Sequence, residues 1–163
     1  KIQNDLILFN QKMCYDKFNL YQKNYNWTGS RACKKKNLLS PQWIRDVKPR
    51  KYSKWRLDTY FSKHKYSNIT LVDNGGWHFS YINTPDLIEQ KLKSYTHHRE
   101  YDLNPLGIEN IKDRIKNRIS VYNLSSDKRN NQFSDGVKLE IMNNKDLPSF
   151  IYQNLNKYEK WLA

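Results

Sequence analysis

Asn74-Gly75-Gly76-Trp77-His78-Phe79-Ser80-Tyr81 joins two glycines to an alternating aromatic run. Just before it, Ile69-Thr70-Leu71-Val72 has the β-branched, apolar content of a buried strand. Adjacent glycines let the backbone take positive φ or pass very close to a neighbour. Beyond them, a period of two puts Trp77, Phe79 and Tyr81 on one face and His78 with Ser80 on the other. The pattern predicts a strand, a Gly-Gly turn and a second strand that delivers His78 to a cleft. The plainer alternative is a hairpin turn and an ordinary strand whose histidine is satisfied by its neighbours.

Upstream, residues 5–21 read as one or two strands, with Asp5-Leu6-Ile7-Leu8-Phe9 apolar and Tyr15, Phe18 and Tyr21 as aromatic anchors. Arg31-Ala32-Cys33-Lys34-Lys35-Lys36 is a basic run bounded by Gly29-Ser30. It is either a solvated loop or a diphosphate contact made through Arg31 and Lys34. Ser40-Pro41 is a helix start, with serine as N-cap and proline first, and Trp43, Ile44 and Val47 form its apolar stripe. Arg45 emerges on the other face as a candidate phosphate or acceptor contact. Residues 48–66 interleave Lys48, Arg50, Lys51, Lys54 and Arg56 with Trp and Tyr, as a platform for single-stranded nucleic acid would.

Downstream, Thr84-Pro85-Asp86 repeats the capped start, and Leu87, Ile88, Lys91, Leu92 and Tyr95 follow helical spacing. The helix is expected to end near His97-His98-Arg99-Glu100. Neighbouring helical residues point about 100° apart, so His97 and His98 are not expected to share one metal. Ile108, Ile111, Ile115 and Ile119 mark a further helix, and residues 123–134 a polar loop expected to be mobile. Val137, Leu139 and Ile141 alternate as a last strand, and Pro148 opens a final helix. No internal repeat and no phosphate-loop or dinucleotide glycine motif is present.

The chain has 163 residues, enough for one domain, residues 1–163, that buries roughly 70% of its unfolded surface. Mean hydropathy is −0.98, so the core is modest, and Trp, Tyr and Phe supply much of it. A net charge of +13 calls for an anionic partner or surface: nucleic acid, an acidic membrane surface or a phosphate-bearing substrate. Cys14 and Cys33 are too few for a disulfide framework and lack metal spacing, so the default is two thiols in a reducing compartment. No apolar run approaches the roughly 18 residues of a membrane span. The three sequons at Asn26, Asn68 and Asn123 are close to what chance gives in so asparagine-rich a chain.

The Asn74–Tyr81 segment resembles the most characteristic stretch of glycosyltransferase family 17. Four further elements resemble that family in the expected order. They are Trp27-Thr28-Gly29 through Lys34, Ser40-Pro41-Gln42 with Arg45, Lys91 with Ser94-Tyr95 and His97, and Leu147-Pro148 through Lys160. Together they cover nearly all of the chain. The resemblance implies an α/β fold, the C-terminal part of a GT-A-like glycosyltransferase domain, with a mixed sheet and flanking helices. It implies transfer of N-acetylglucosamine from a UDP-sugar donor to a mannose-containing or related glycan acceptor, with inversion and a β-1,4 linkage.

The family's acidic metal motif has no counterpart in these residues, so the chain is expected to be the C-terminal part of a longer enzyme. The resemblance implies a divalent metal, Mn²⁺ in the first instance, shared with upstream residues and completed here by His78. Glu100 is the leading candidate for the base, with Asp58 and Asp102 behind it. Arg31, Lys34, Arg45, Gly75, Gly76, Trp77, Ser80 and His97 are candidate donor or acceptor contacts. The expected location is cytoplasmic or peripheral at a membrane surface, and the Golgi lumen only for an animal-type member with an upstream anchor. After Tyr81, Asn83-Thr84 stands where family members often carry a glycine pair, which leaves the acceptor open. Two alternatives stand beside this reading: a basic nucleic-acid-binding module, and an inactive glycan-binding remnant of a transferase.

Overall fold

The computed structural model describes residues 5–95, 98–125, 132–133 and 135–163. Its contacts gather into two compact units, one from Lys1–Lys12 and Asn26–His78, the other from Met13–Tyr25 and Phe79–Ala163. Two long strands, β1 (Ile7–Tyr15) and β2 (Leu20–Ala32), run through both units. In the first unit β3 (Thr70–Val72) lies parallel to β1, with Ile7 opposite Thr70 and Phe9 opposite Val72. In the second unit β5 (Glu140–Ile141) lies antiparallel to the start of β2, with Leu20 opposite Ile141. The strand order is β3-β1-β2-β5, with β4 (Trp77–Ser80) also paired to β1. The fold is therefore mixed α/β with a mixed sheet, as the sequence leads one to expect.

The glycine pair departs from that expectation. Thr70 N–H donates to Leu6 O and Gly75 N–H to Asn10 O, each at 2.8 Å. Lys12 N–H then donates to Gly76 O at 2.9 Å and Asp16 N–H to Ser80 O at 3.3 Å. Leu6, Asn10, Lys12 and Asp16 are separated by even numbers of residues, so their backbone groups leave β1 on one edge. Both chains advance together along that edge, so β4 continues the direction of β3. Gly75-Gly76 is thus a bulge in a parallel edge and not a reversal. A Cβ on Gly75 would lie 2.8 Å from the Phe9 Cβ, and Gly76 sits at φ +122°, so each glycine is required for a different reason.

The first unit packs Leu6 and Leu8 of β1 against Trp43, Val47, Tyr66 and Ile69. Helix α1 (Pro41–Asp46) begins as its sequence predicts: the Ser40 Oγ accepts from Trp43 N–H at 3.0 Å. The Trp43 indole N–H reaches the Lys63 carbonyl at 2.8 Å, which satisfies the one polar atom of a buried ring. A short helix, α2 (Asp58–Phe61), follows.

In the second unit, α3 (Pro85–Ser94) packs on α4 (His98–Leu103) and α5 (Gly107–Lys116). Ile88 and Leu92 of α3, Tyr101 of α4 and Ile111 of α5 are fully buried. Each aliphatic side chain among them contributes roughly 1.5–3 kcal/mol. Leu87, read as part of the same stripe, is 47% exposed instead, because the buried face of α3 is narrower than the sequence pattern suggests.

The closing segment is not one helix but two short ones, α6 (Ser149–Tyr152) and α7 (Leu155–Tyr158), and a 3-10 turn over Glu159–Trp161. Asn154 causes the break. Its side chain donates to Phe150 O at 2.8 Å, while its N–H tightens onto Ile151 O at 3.0 Å. Among the described residues, no helix is long and apolar enough to cross a membrane. Most of the loop expected to be mobile, residues 126–131 and 134, lies outside the described residues.

Candidate functional site

Candidate residues fall in both units. In the first, His78 packs its ring against Trp27, with centroids 3.8 Å apart and planes tilted by 45°. Trp27 reaches that position by lying across Gly29, where a Cβ would fall 1.9 Å from its ring. Thr28 between them donates to the Asn10 amide oxygen at 2.8 Å, and the Asn10 amide donates to Asp73 at 2.9 Å. The Trp-Thr-Gly motif and the residues before the Gly-Gly bulge are therefore parts of one assembly. Trp77 is half-buried, not a core residue.

This geometry gives His78 an aromatic packing partner. His78→Ala is expected to lose an aromatic contact of about 0.5–1.5 kcal/mol, lowering the melting temperature by roughly 1–6 °C. A thermal melt indistinguishable from the parent chain would refute a packing role.

Arg31 has a structural task. Its guanidinium donates to the carbonyls of Thr28, Ile44 and Arg45, and to Val47 O at 2.7 Å. It thus caps the C-terminal end of α1, where orphan carbonyls and the helix dipole favour a cation. Burial pushes the Arg31 pKa below its ordinary value, with Asp46 opposing that shift. Lys34 and Arg45 extend into solvent, and Lys34 is placed through its backbone N–H, 2.7 Å from Asp5. Asp58 is gripped by Arg56 at 2.9 Å and Lys65 at 2.6 Å. Those hydrogen bonds hold its pKa far below the usual carboxylate range, which makes it a poor proton acceptor.

In the second unit, a cluster of tyrosines lies beside Glu100. Burial raises the Tyr122 pKa above its ordinary range, and Tyr95, Glu100 and Tyr81 add to the rise. Burial and then Glu100 do the same for Tyr95. Tyr15, fully buried, is raised by burial, then by Tyr25, Tyr81 and Tyr122. The Glu100 carboxylate therefore lies close enough to act on tyrosines from two separate segments, Tyr95 and Tyr122. It accepts from Gln132 N–H at 3.0 Å.

Tyr81, the last residue of the central motif, is 9% exposed and sits at φ +57°. A bulky residue in the left-handed region is rare and strained, and such strain concentrates where function over-determines the backbone. Lys91 stands over the Tyr81 ring, 4.4 Å from its centroid. Ser80 is buried beside it in sequence. Asp102 is exposed and paired with His98 Nδ1 at 2.7 Å. His97 lies outside the described residues.

Sequence reasoning passed over Tyr81, Tyr122 and Asp16 as functional positions. Only Tyr81 carried a signal, its place in the central motif. Asp16 is 2% exposed at the turn after β1, and neither carboxyl oxygen has a hydrogen-bond partner among the described residues. Burial raises its pKa to about 7 against the opposing charge of Lys17. It lines a cavity of about 330 Å³ together with Lys17, Lys112, Lys116, Lys160 and Trp161.

Among the described residues, no group of three or more His, Cys, Asp or Glu side chains is placed to hold a metal ion. A scan of family models, a search of curated proteins and a search of solved structures each return no match for this chain.

Proposed function

We propose that this chain is the acceptor-handling part of a GT-A-like, inverting N-acetylglucosaminyltransferase, acting from a UDP-sugar on a mannose-containing or related glycan. The observation that carries this reading is the meeting of two motif segments in the second unit. Tyr81 ends the Asn74–Tyr81 stretch, and Glu100 follows the Lys91–Tyr95 element. Both belong to one electrostatically coupled cluster.

Such a reaction needs a carboxylate to take the acceptor proton and aromatic faces to hold sugar rings. In this reading Glu100 accepts the proton of the acceptor hydroxyl as its oxygen attacks the anomeric carbon. The bond from that carbon to the diphosphate breaks, and UDP leaves with the electron pair. Tyr95 and Tyr122 flank Glu100, and the Gln132 N–H sets its orientation; Tyr81 joins the same cluster through Tyr95 and Tyr122.

A divalent metal, Mn²⁺ in the first instance, would neutralise the leaving diphosphate when bound, and His78 is the ligand this chain would offer it. The described residues do not form a metal site by themselves, so no step is routed through it.

The test is transfer from UDP-N-acetylglucosamine to mannose-terminated oligosaccharides by the complete protein with Mn²⁺. The expected product carries a β-linked N-acetylglucosamine by nuclear magnetic resonance. No transfer to any glycan acceptor, with the protein folded, would overturn the reading.

A further inference from the structure

Residues 48–66 form an excursion within the first unit, pinned at two points. Lys48 N–H donates to His64 O at 2.8 Å, and Tyr52 N–H donates to Tyr66 O at 3.0 Å. Tyr52 and Tyr66 are buried. Between the pins, Trp55, Leu57, Tyr60 and Phe61 are 93%, 76%, 62% and 88% exposed. Isolated apolar side chains on a surface are ordinary, but so many large ones within seven residues mark an interaction site.

The tip has a defined shape. The Tyr60 hydroxyl donates to Lys54 O at 3.1 Å, Arg56 makes two bonds of 2.9 Å to Asp58, and Leu57 and Phe61 stand one helical turn apart. The collar is cationic: residues 48–66 hold seven Lys and Arg against one acid, Asp58, which Arg56 and Lys65 already grip.

We propose that this tip docks the protein on an anionic lipid bilayer. Trp55, Leu57 and Phe61 enter the boundary between headgroups and acyl chains, and Arg50, Lys51 and Lys54 bind lipid phosphates. A collar of positive charge around an apolar tip is complementary to the negative surface and apolar interior of such a membrane. Tryptophan and tyrosine favour that interface because one end of each ring system is polar. A single nucleic-acid strand would use flat aromatic faces, and would gain little from an exposed leucine. Two copies meeting tip to tip would bring their like charges together. This inference is independent of the transfer reading, and neither failing would touch the other.

Sedimentation with phosphatidylcholine vesicles, with and without phosphatidylglycerol, tests it on the full chain. Binding is expected to the anionic vesicles, to weaken with added salt and to be slight without phosphatidylglycerol. The double variant Trp55→Ser, Phe61→Ser is expected to bind at least roughly tenfold more weakly with an unchanged thermal melt, since both side chains are exposed. Lys51→Ala and Lys54→Ala are each expected to weaken binding by roughly fivefold. Phe150→Ser, at another exposed aromatic position in the second unit, is expected to change nothing.

Absence of binding by the parent chain would overturn the proposal, as would equal binding by the double variant. Tight binding of oligothymidylate without vesicle binding would assign the tip to nucleic acid. A dimer abolished by the double variant, again without vesicle binding, would assign it to a second copy.

Discussion

Asp16→Asn is expected to stabilise the chain progressively as pH rises, by about 4 kcal/mol between pH 3 and pH 8 relative to the parent. The carboxyl is buried without a hydrogen-bond partner among the described residues, and its folded pKa is raised to about 7. In the unfolded chain it titrates near its ordinary value of about 3.9. Below both values the residue holds its proton in either state and imposes no charge penalty. Between them the unfolded chain has lost the proton and the folded chain still holds it. Stability therefore falls by about 1.4 kcal/mol for each pH unit, over about three units. Above pH 8 both states are ionised and the penalty is constant.

Asparagine removes the titration and preserves the shape. Asp16 sits at φ +60°, a conformation asparagine tolerates, and the backbone bond from its N–H to Ser80 O is unaffected. Lys17, Lys112, Lys116 and Lys160 share the cavity lining, and Lys17 opposes the shift without abolishing it. All other carboxylates are common to both chains, so their titration cancels in the difference. Urea unfolding of the pair at pH 3 and pH 8 measures it. A difference independent of pH would mean that Asp16 is solvated or paired in solution.

Local signals in the sequence carried local structure well. Ser40 caps and Pro41 opens α1, and Pro85 opens α3, although the Thr84 side chain makes no cap hydrogen bond there; such signals depend on residues within one turn. The strand content of residues 5–21 was legible for the same reason. The glycine pair was read in part: two glycines announce an unusual backbone, but a reversal and a parallel bulge require the same residues. Only the partner strand, more than 60 positions away, separates them.

Arg31 shows a related limit. A basic run reads as a phosphate contact or a solvated loop, and the carbonyls that Arg31 caps belong to a helix some fifteen residues on. The tyrosine cluster beside Glu100 was illegible, because its members at 15, 81, 95 and 122 share no period and only Tyr95 and Tyr122 reach Glu100. Asp16 was hidden by type, since an acid at a turn is ordinarily exposed.

The largest expected effect on activity belongs to Glu100→Gln in the complete protein. Glutamine keeps the size of the side chain, and its carbonyl oxygen can still accept the Gln132 N–H that now lies 3.0 Å from Glu100. What it loses is the ability to take a proton. If Glu100 is the base, kcat for transfer to the glycan falls by roughly 10²–10⁴-fold, the usual worth of positioned general-base catalysis. KM for the UDP-sugar stays close to the parent value, because the change is made only where the acceptor proton moves. The melting temperature stays within roughly 2 °C, the shift expected for well under 1 kcal/mol in a chain of this size.

Asp102→Asn and Asp58→Asn sharpen the comparison. Asp102 is exposed and paired with His98 one helical turn away, and Asp58 is held ionised by Arg56 and Lys65. Each is expected to change kcat far less than Glu100→Gln. Initial rates against acceptor concentration for the three variants decide the assignment. Retention of near-parent kcat by Glu100→Gln would remove Glu100 from the chemistry, and a collapse in Asp102→Asn alone would move the base two residues along α4.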